Sequence, residues 1–198
     1  MSSPVPDPLP LVEAAYHQHY ETTAVRASVS FLGVETIEIL RYEQTDYGGD
    51  RGTTSYLSLG MSRYPMAEPT VTTVDPHTAP RAELMLSTLG QPDEVWRQLA
   101  VLAAAPAVES AVYQLGMRVE LGETWCAGSR CTGALVVDSP LLPISVPGMA
   151  AVTVFRLLPT APTEMAWARV HGSEALLARW NSAGTDLRDL YRDPVEFG

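Results

Sequence analysis

The amino-acid sequence predicts an α+β fold, a mainly antiparallel sheet with several packed helices, in a single domain. Segments that alternate between apolar and polar residues outnumber segments with helical periodicity. The two kinds do not alternate regularly along the chain, as they would in a doubly wound parallel sheet. The composition is that of a globular protein, with 46% hydrophobic and 18% charged residues. At 198 residues, one such domain buries a sizeable core.

The first residues are rich in proline, with four prolines among the first ten. Proline blocks helix formation, so residues 1–9 are predicted to be a flexible lead-in and residues 10–198 the folded domain. After the lead-in, four residues recur with helical spacing: Leu11, Val12, Ala15 and His19. That spacing predicts a short helix over residues 10–20.

Two strands separated by a long turn come next. Val34–Tyr42 alternates close to period two, and Thr53–Leu59 mixes apolar with hydroxyl side chains. The glycine-rich segment 47–52 between them has the composition of a turn. The sequence therefore predicts an antiparallel hairpin with a long loop. Pro65–Pro80, which contains four prolines, is predicted to be a surface loop.

The middle of the chain predicts a strand and a helix. Arg81–Ser87 has the pattern of a strand, and Pro92 suits the first turn of a helix, where its missing N–H is not needed. Three apolar residues of this helix share one face: Val95, Leu99 and Leu102. Pro106 is expected to stop the helix, because proline cannot donate the helical hydrogen bond.

The last third predicts more strands and two helices. The further strands cover Met117–Leu121, Ala134–Val137 and Ala151–Leu158, with Val195–Phe197 as a last short one. One helix starts near Thr160 and ends before Gly172. The other has Ser173 as its N-cap. Its buried residues are predicted to be Leu176, Leu177 and Trp180.

The charge balance bears on partners and on chemistry. The formal net charge of −10 argues against a nucleic-acid partner and is compatible with a basic protein partner. Acidity that serves solubility alone is the plainer interpretation. The chain contains no lysine, which excludes a P-loop and a Schiff-base mechanism. No cofactor is predicted.

The location is expected to be cytoplasmic. No apolar stretch approaches the roughly 20 residues of a membrane-spanning helix. The N-terminus lacks the basic start and apolar core of a signal peptide. Cys126 and Cys131 are therefore expected to be reduced, although their spacing also suits a disulfide or half of a zinc site.

No catalytic motif is found, and no catalytic or metal-binding residue is predicted. Gly-x-Ser-x-Gly is absent. His17 and His19 point about 200° apart on a helix, which argues against a shared metal. An enzymatic alternative is a hydrolase whose serine or cysteine meets one of the four histidines in space: His17, His19, His77 or His171.

The order of several segments is similar to that of a known protein family. Eight segments carry the resemblance, in order: Leu11–Tyr20, Ile37–Tyr42, Ser55–Ser62, Arg81–Leu86, Val95–Ala100, Leu135–Pro140, Val154–Leu158 and Asp186–Arg188. The ordered set resembles the suppressor of fused family. Among them, Ser55–Ser62 is similar to the family's aromatic-(Ile/Val)-(Ser/Thr)-aromatic-Gly-Leu-Ser strand, and Asp186–Arg188 to its closing Thr-Asp-(Leu/Met)-Arg motif.

The resemblance implies a single suppressor of fused-like domain that binds other proteins and catalyses nothing. In animals the family captures a segment of a transcription factor as an added β-strand, and bacterial members resemble immunity proteins that neutralise a toxin. The Ala- and Arg-rich composition suggests a bacterial source. A third alternative is a self-associating regulatory subunit with an exposed patch of Tyr56, Met61, Tyr64 and Met66.

The predicted partner-binding site is the turn Glu43–Arg51 with the strand edges beside it. Tyr47 stands among adaptable glycines and the acids Asp46 and Asp50, and Arg51 closes the turn. Tyrosine gives a large contact area at a small entropic cost, and binding hot spots favour it. The plainer interpretation is a solvated hairpin loop, and Pro65–Pro80 is the next candidate surface.

Overall fold

A single seven-stranded sheet organises the part of the chain that the computed structural model describes, residues 4–44, 52–71 and 73–197. Its strands are β1 (Val25–Phe31), β2 (Val34–Gln44), β3 (Thr53–Leu59), β4 (Arg81–Leu89), β5 (Arg118–Glu120), β6 (Gly133–Asp138) and β7 (Val152–Thr160). The helices are α1 (Leu9–Tyr20), α2 (Val95–Glu109), α3 (Pro162–His171) and α4 (Ser173–Ser182), with a 3-10 turn at Met61–Arg63.

The strand order across the sheet is β1-β2-β3-β4-β7-β6-β5. Neighbouring strands are antiparallel except for β4 and β7, which are parallel at the centre. The predicted α+β class with a mainly antiparallel sheet is confirmed. The predicted hairpin of β2 and β3 is also confirmed, with Tyr42 opposite Ser55.

The helices cover both faces of the sheet. α2 packs on one face, against residues that include Ile37, Ile39 and Leu157. On the opposite face, α1 packs against Leu40 and Leu57. α3 and α4 cover Leu135 and Leu158 farther along that face. Because both faces are covered, every residue of β3 is buried.

A buried carboxylate holds the turn after β3. Glu83 on β4 accepts hydrogen bonds from the N–H groups of Gly60 and Ser62, at 3.0 Å each. It also accepts from the hydroxyls of Ser62 at 2.7 Å and Ser58 at 2.5 Å. Burial raises the pKa of Glu83, while these four donors act in the opposite direction. The network fixes the path of the chain from β3 into the 3-10 turn.

The structure contains one strand that was not predicted from the sequence. β1 pairs with β2 in antiparallel register, with Ala27 opposite Ile39. Its sequence does alternate, with Val25, Ala27, Val29 and Phe31 separated by polar residues. The sequence of β1 therefore carries the period-two signal of a strand.

The prediction that Pro106 stops α2 is wrong, since the helix continues to Glu109. The proline removes a hydrogen bond to the carbonyl four residues earlier, that of Leu102. The hydroxyl of Tyr113 donates to this carbonyl at 2.8 Å instead. Because the freed acceptor is satisfied by a buried side chain, the helix tolerates the proline.

Three smaller predictions are also corrected. Gly172, and not Ser173, occupies the N-cap of α4, and the Ser173 hydroxyl donates to the carbonyl of Gly116 at 2.7 Å. Val195–Phe197 is not a strand, and the Phe197 ring stacks on Trp167. The proposed self-association patch is not exposed. Its residues Tyr56, Met61 and Met66 are buried, with Tyr64 half-buried.

Candidate functional site

β5 forms one open edge of the sheet, since within the described ranges it pairs only with β6. The Leu121 N–H donates to the Thr132 carbonyl at 2.9 Å, and Val119 lies opposite Ala134. Because inward and outward backbone groups alternate along an antiparallel strand, those of Arg118 and Glu120 face away from β6. The edge therefore presents backbone donors and acceptors to an added strand.

A groove runs beside this edge, between β5 and α3. It has a volume of about 560 Å³, and an adjoining cavity of about 280 Å³ continues it towards Gly122. Glu120, Met165 and Arg169 line both cavities. Leu115, at the far end of the groove, is 55% exposed. The lining combines apolar and charged groups, as side-chain recognition beside a paired backbone requires.

Glycine allows β5 to lie close to β6. A Cβ atom on Gly133 would meet the carbonyl oxygen of Val119 at 2.5 Å, a separation that real side chains do not tolerate. Gly133 also accepts a hydrogen bond from the Trp125 indole N–H at 2.9 Å. These contacts hold the edge strand in place without a side chain at the crossing point.

The other wall of the groove, α3, is held by a second buried carboxylate. Glu164, at the start of α3, forms an ion pair with Arg192 and accepts from the Trp180 indole N–H at 2.9 Å. The N–H groups of Ala161 and Val195 also donate to it. Burial alone would raise the pKa of Glu164, but Arg192 and the other donors hold it below its usual value.

Charged side chains close the groove at its rim. Arg169 on α3 forms an ion pair with Glu120 on β5. Arg118 donates to the Ser173 hydroxyl at 3.3 Å. Both arginines are exposed and can move, since exposed ion pairs contribute little to stability. The groove thus has fixed walls and an adaptable rim.

The four predicted site residues, Asp46, Tyr47, Asp50 and Arg51, lie outside the described residues. The strands that flank them are described, and Gln44 pairs with Thr53 at the base of the loop. The structure therefore does not test this prediction. The groove beside β5 was missed because its residues lie far apart in the sequence and carry no motif.

The histidines have other partners. The ring nitrogens of His17 lie 3.2 Å from the Tyr42 hydroxyl and 3.2 Å from Glu13. Those of His77 and His171 contact backbone carbonyls. His19 packs against Tyr20. These contacts place no serine or cysteine beside a histidine ring, so nothing in them favours the hydrolase alternative.

The sequence leaves two further alternatives open, a disulfide between the two cysteines and a metal site. Cys126 and Cys131 are free and buried. Burial raises the pKa of Cys126, and that of Cys131 to about 11. Within the described part of the chain, no group of three or more histidine, cysteine or acidic residues could hold a metal ion. Of the helices in those same ranges, none has both the length and the apolar character to cross a bilayer.

Known proteins share this architecture. The model of the suppressor of fused protein family (SUFU) matches residues 33–193. No curated protein matches the chain. A suppressor of fused homolog from Neisseria gonorrhoeae is 18% identical, with a TM-score of 0.72, over 97% of this chain and 98% of that one.

Two further solved structures are similar. The Sufu-Fu complex gives 16% identity and a TM-score of 0.70 over 98% of this chain and 93% of that one. Suppressor of fused from Drosophila gives 15% identity and a TM-score of 0.68, over 95% of this chain and 51% of that one. At these identities the likeness is one of fold.

Proposed function

Because the chain belongs to the suppressor of fused family, we propose that it is a non-catalytic module that binds an extended segment of a partner protein along β5. The observation that carries the proposal is the open β5 edge beside a groove of about 560 Å³. One of the similar solved structures is that of the Sufu-Fu complex. This supports a protein as the partner of the present chain.

Strand addition uses both parts of this site. Backbone pairing with Arg118 and Glu120 supplies affinity that is independent of the partner's sequence, and the groove selects its alternate side chains. Met165 offers an adaptable apolar contact, and Arg169 and Glu120 offer charges of both signs. The short β5 limits the backbone pairing, so side-chain contacts in the groove supply the rest.

The biological role that fits best is that of a bacterial immunity-type protein, which binds and neutralises a toxin in the cytoplasm. The resemblance to bacterial family members supports this role. The net charge of −10 favours a basic protein as the partner and disfavours nucleic acid. Electrostatic attraction would speed association and make it sensitive to salt.

The predicted loop is part of the same proposal. Gln44 pairs with Thr53, and Thr53 with Leu89. On the other side of the sheet, Thr160 pairs with Gly133, and Gly133 with Glu120. The parallel register of β4 and β7 aligns Leu89 with Thr160. The base of the loop and the Glu120 end of the groove thus lie at the same end of the sheet.

One partner can reach both places. Five strand spacings of about 4.8 Å separate β2 from β5, or about 24 Å. A standard interface covers about 800 Å² per partner, a patch about 32 Å across. We therefore assign contact roles to Asp46, Tyr47, Asp50 and Arg51, with the extended segment of the partner lying along β5.

A proline in β5 should have a specific effect on the affinity for the partner. Arg118→Pro should weaken binding of the captured partner at least tenfold, because the ring blocks an added strand. The Arg118 N–H faces away from β6, so the substitution removes no hydrogen bond of the sheet. Arg118→Ala is the matched control, since it removes the same side chain and keeps the N–H. The full chain would be used to capture partners from its native host at low and moderate salt, and affinities would then be measured by calorimetry.

The results of this experiment distinguish an error in the proposed binding function from an error in the proposed β5 location. Failure to recover any stoichiometric protein contradicts the binding function. Equal affinity of Arg118→Pro and Arg118→Ala places the interface away from β5. The melting temperatures of both variants should match that of the wild type.

Substitutions in the predicted partner-binding loop should weaken binding independently of those in β5. Tyr47→Ala combined with Asp50→Ala should weaken binding of the same partner at least tenfold, about 1.4 kcal/mol. Thermal stability should not fall, because the substitutions lie in a connecting loop. Unchanged affinity, measured by calorimetry, would move this part of the interface elsewhere, most plausibly to Pro65–Pro80.

A further inference from the structure

The second open edge of the sheet, β1, points to a different partner. We infer that β1 pairs with β1 of a second copy of this chain, antiparallel across a two-fold axis at Ser28. This surface is at the opposite side of the sheet from β5, so the inference does not rest on the partner-binding proposal. Three features of β1 support this pairing: weak edge protection, a self-complementary sequence, and a depression at one end of the strand that fits the other end.

β1 has few of the devices that normally protect an edge strand. Native proteins blunt such edges with short strands, proline, charged side chains or bulges. β1 is seven residues long, contains no proline and has one charged residue, Arg26. Its pairing with β2 shows one irregularity, at Val29 and Phe31, where the extra residue belongs to β2. Among the described residues, no other strand covers its outer side.

The sequence of β1 is complementary to itself when it is reversed. Pairing centred on Ser28 places Val25 opposite Phe31 of the second copy, and Ala27 opposite Val29. On the other face, Arg26 lies opposite Ser30, and Ser28 opposite Ser28. Apolar residues thus meet apolar residues on one face, and polar residues meet polar residues on the other. Directly opposed pairs of this kind stabilise antiparallel sheets.

An aromatic side chain and a surface depression lie at opposite ends of the strand. Val25 lines a depression of about 110 Å³, whose other lining residues are Ala27, Ile39, Tyr56 and Trp96 with Arg26 and Arg41. Phe31, at the other end, is half-buried on the same face of the sheet. The two-fold axis brings each Phe31 over the depression of the other copy, so the contact forms twice. An isologous interface requires this kind of self-complementarity.

The turn after β1 extends the contact. Leu32 is fully exposed at the tip of the β1–β2 turn, where Gly33 adopts a positive φ of 80°. In the proposed register, Leu32 lies opposite Ala24 of the second copy. An exposed leucine at a hairpin tip is thereby covered.

The charges near β1 permit the pairing. Arg26 is the one charged residue of the strand, and it forms ion pairs with Glu13 and Glu38 of its own copy. Its opposite residue is a serine, so no like charges face each other. The net charge of −10 on each copy opposes association at long range. Salt screens that repulsion and is expected to favour the dimer.

Sedimentation velocity of the full chain would test the inference, from low micromolar to near millimolar concentration. The wild type should shift from monomer to dimer, with more dimer at higher salt. Ser28→Arg should weaken dimerisation at least tenfold, because it places two guanidinium groups face to face on the axis. Ser182→Arg, an equal change of charge at an exposed serine of α4, is the matched control and should behave as the wild type.

Cross-linking would test the register. Ser28→Cys should form a disulfide-linked dimer under mild oxidation, since residues on the axis have Cβ atoms about 4.5–5.5 Å apart. Ser182→Cys should remain monomeric under the same conditions. A wild type that stays monomeric at every concentration overturns the inference. So does a dimer that Ser28→Arg leaves intact, or that cross-links no faster through position 28 than through position 182. Arg118→Pro should leave self-association unchanged.

Discussion

Arg192→Met is expected to lower the free energy of unfolding by about 3–5 kcal/mol, the usual cost of leaving a buried charge without its partner. The Arg192 guanidinium contacts both carboxylate oxygens of Glu164, at 2.7 and 2.8 Å, and also the Pro159 carbonyl at 3.0 Å. Glu164 is completely buried. For a chain of this size, the loss corresponds to a fall in melting temperature on the order of 10 °C.

The effect of Arg192→Met should depend on pH. The folded-state pKa of Glu164 lies below its usual value. In the wild type, Glu164 therefore contributes stability above its unfolded-state pKa, and this contribution is lost as pH falls through the folded-state pKa. In the variant, burial is opposed by fewer donors and the pKa of Glu164 should rise. The difference between wild type and variant should be largest near neutral pH and should shrink in acid.

Two controls make the test specific. Arg130→Met breaks an exposed ion pair with Asp193 and should cost less than about 1 kcal/mol. Adding Glu164→Gln to Arg192→Met removes the unpaired charge and should recover part of the lost stability. Chemical denaturation at several pH values measures both. Equal losses for Arg192→Met and Arg130→Met would contradict the importance of the buried pair.

Glu83→Ala is expected to cost about 3–5 kcal/mol, because it leaves several buried donors without an acceptor and opens a cavity. Glu83→Gln should cost much less, about 1 kcal/mol. Three of the four donors share one carboxylate oxygen, which the glutamine carbonyl can replace. The Ser58 hydroxyl, which contacts the second oxygen, can accept from the amide instead.

The pH dependence of Glu83 has the opposite sign to that of Glu164. Its pKa is raised in the folded state, so the wild type loses stability as pH rises from the unfolded-state pKa to the folded-state pKa. Glu83→Gln has no such dependence. Over that range, denaturation should show the wild type losing stability relative to Glu83→Gln. A glutamine variant as unstable as Glu83→Ala would show that the negative charge itself is needed.

The sequence predicts the elements of the fold better than their exceptions. Helical and alternating periodicity locate α1, α2 and most strands, because those patterns reflect which faces are buried. The continuation of α2 through Pro106 could not be predicted, since it depends on Tyr113 satisfying the Leu102 carbonyl. The parallel pairing of β4 with β7 could not be predicted either, because these strands lie about 60 residues apart in the sequence.

The candidate site shows the same limit. The β5 groove combines residues near positions 116 and 165, which only the tertiary structure brings together. Glu83 and Glu164 are buried acids whose donors come from distant segments, and acids in a sequence ordinarily indicate a surface. The loop containing Tyr47 was predicted from local composition, and its role stays a prediction.

The central position of β7 has a consequence for synthesis of the protein. β7 is the last strand in sequence order among the described residues, yet it lies between β4 and β6. About 60 residues separate β4 from β7, and at about 5–20 residues per second the ribosome needs several seconds to make them. Until then, the inner sides of β4 and β6 are unpaired in the nascent chain. The two halves of the sheet join when β7 inserts between them, so a chain truncated before Val152 should leave apolar strand edges open to aggregation.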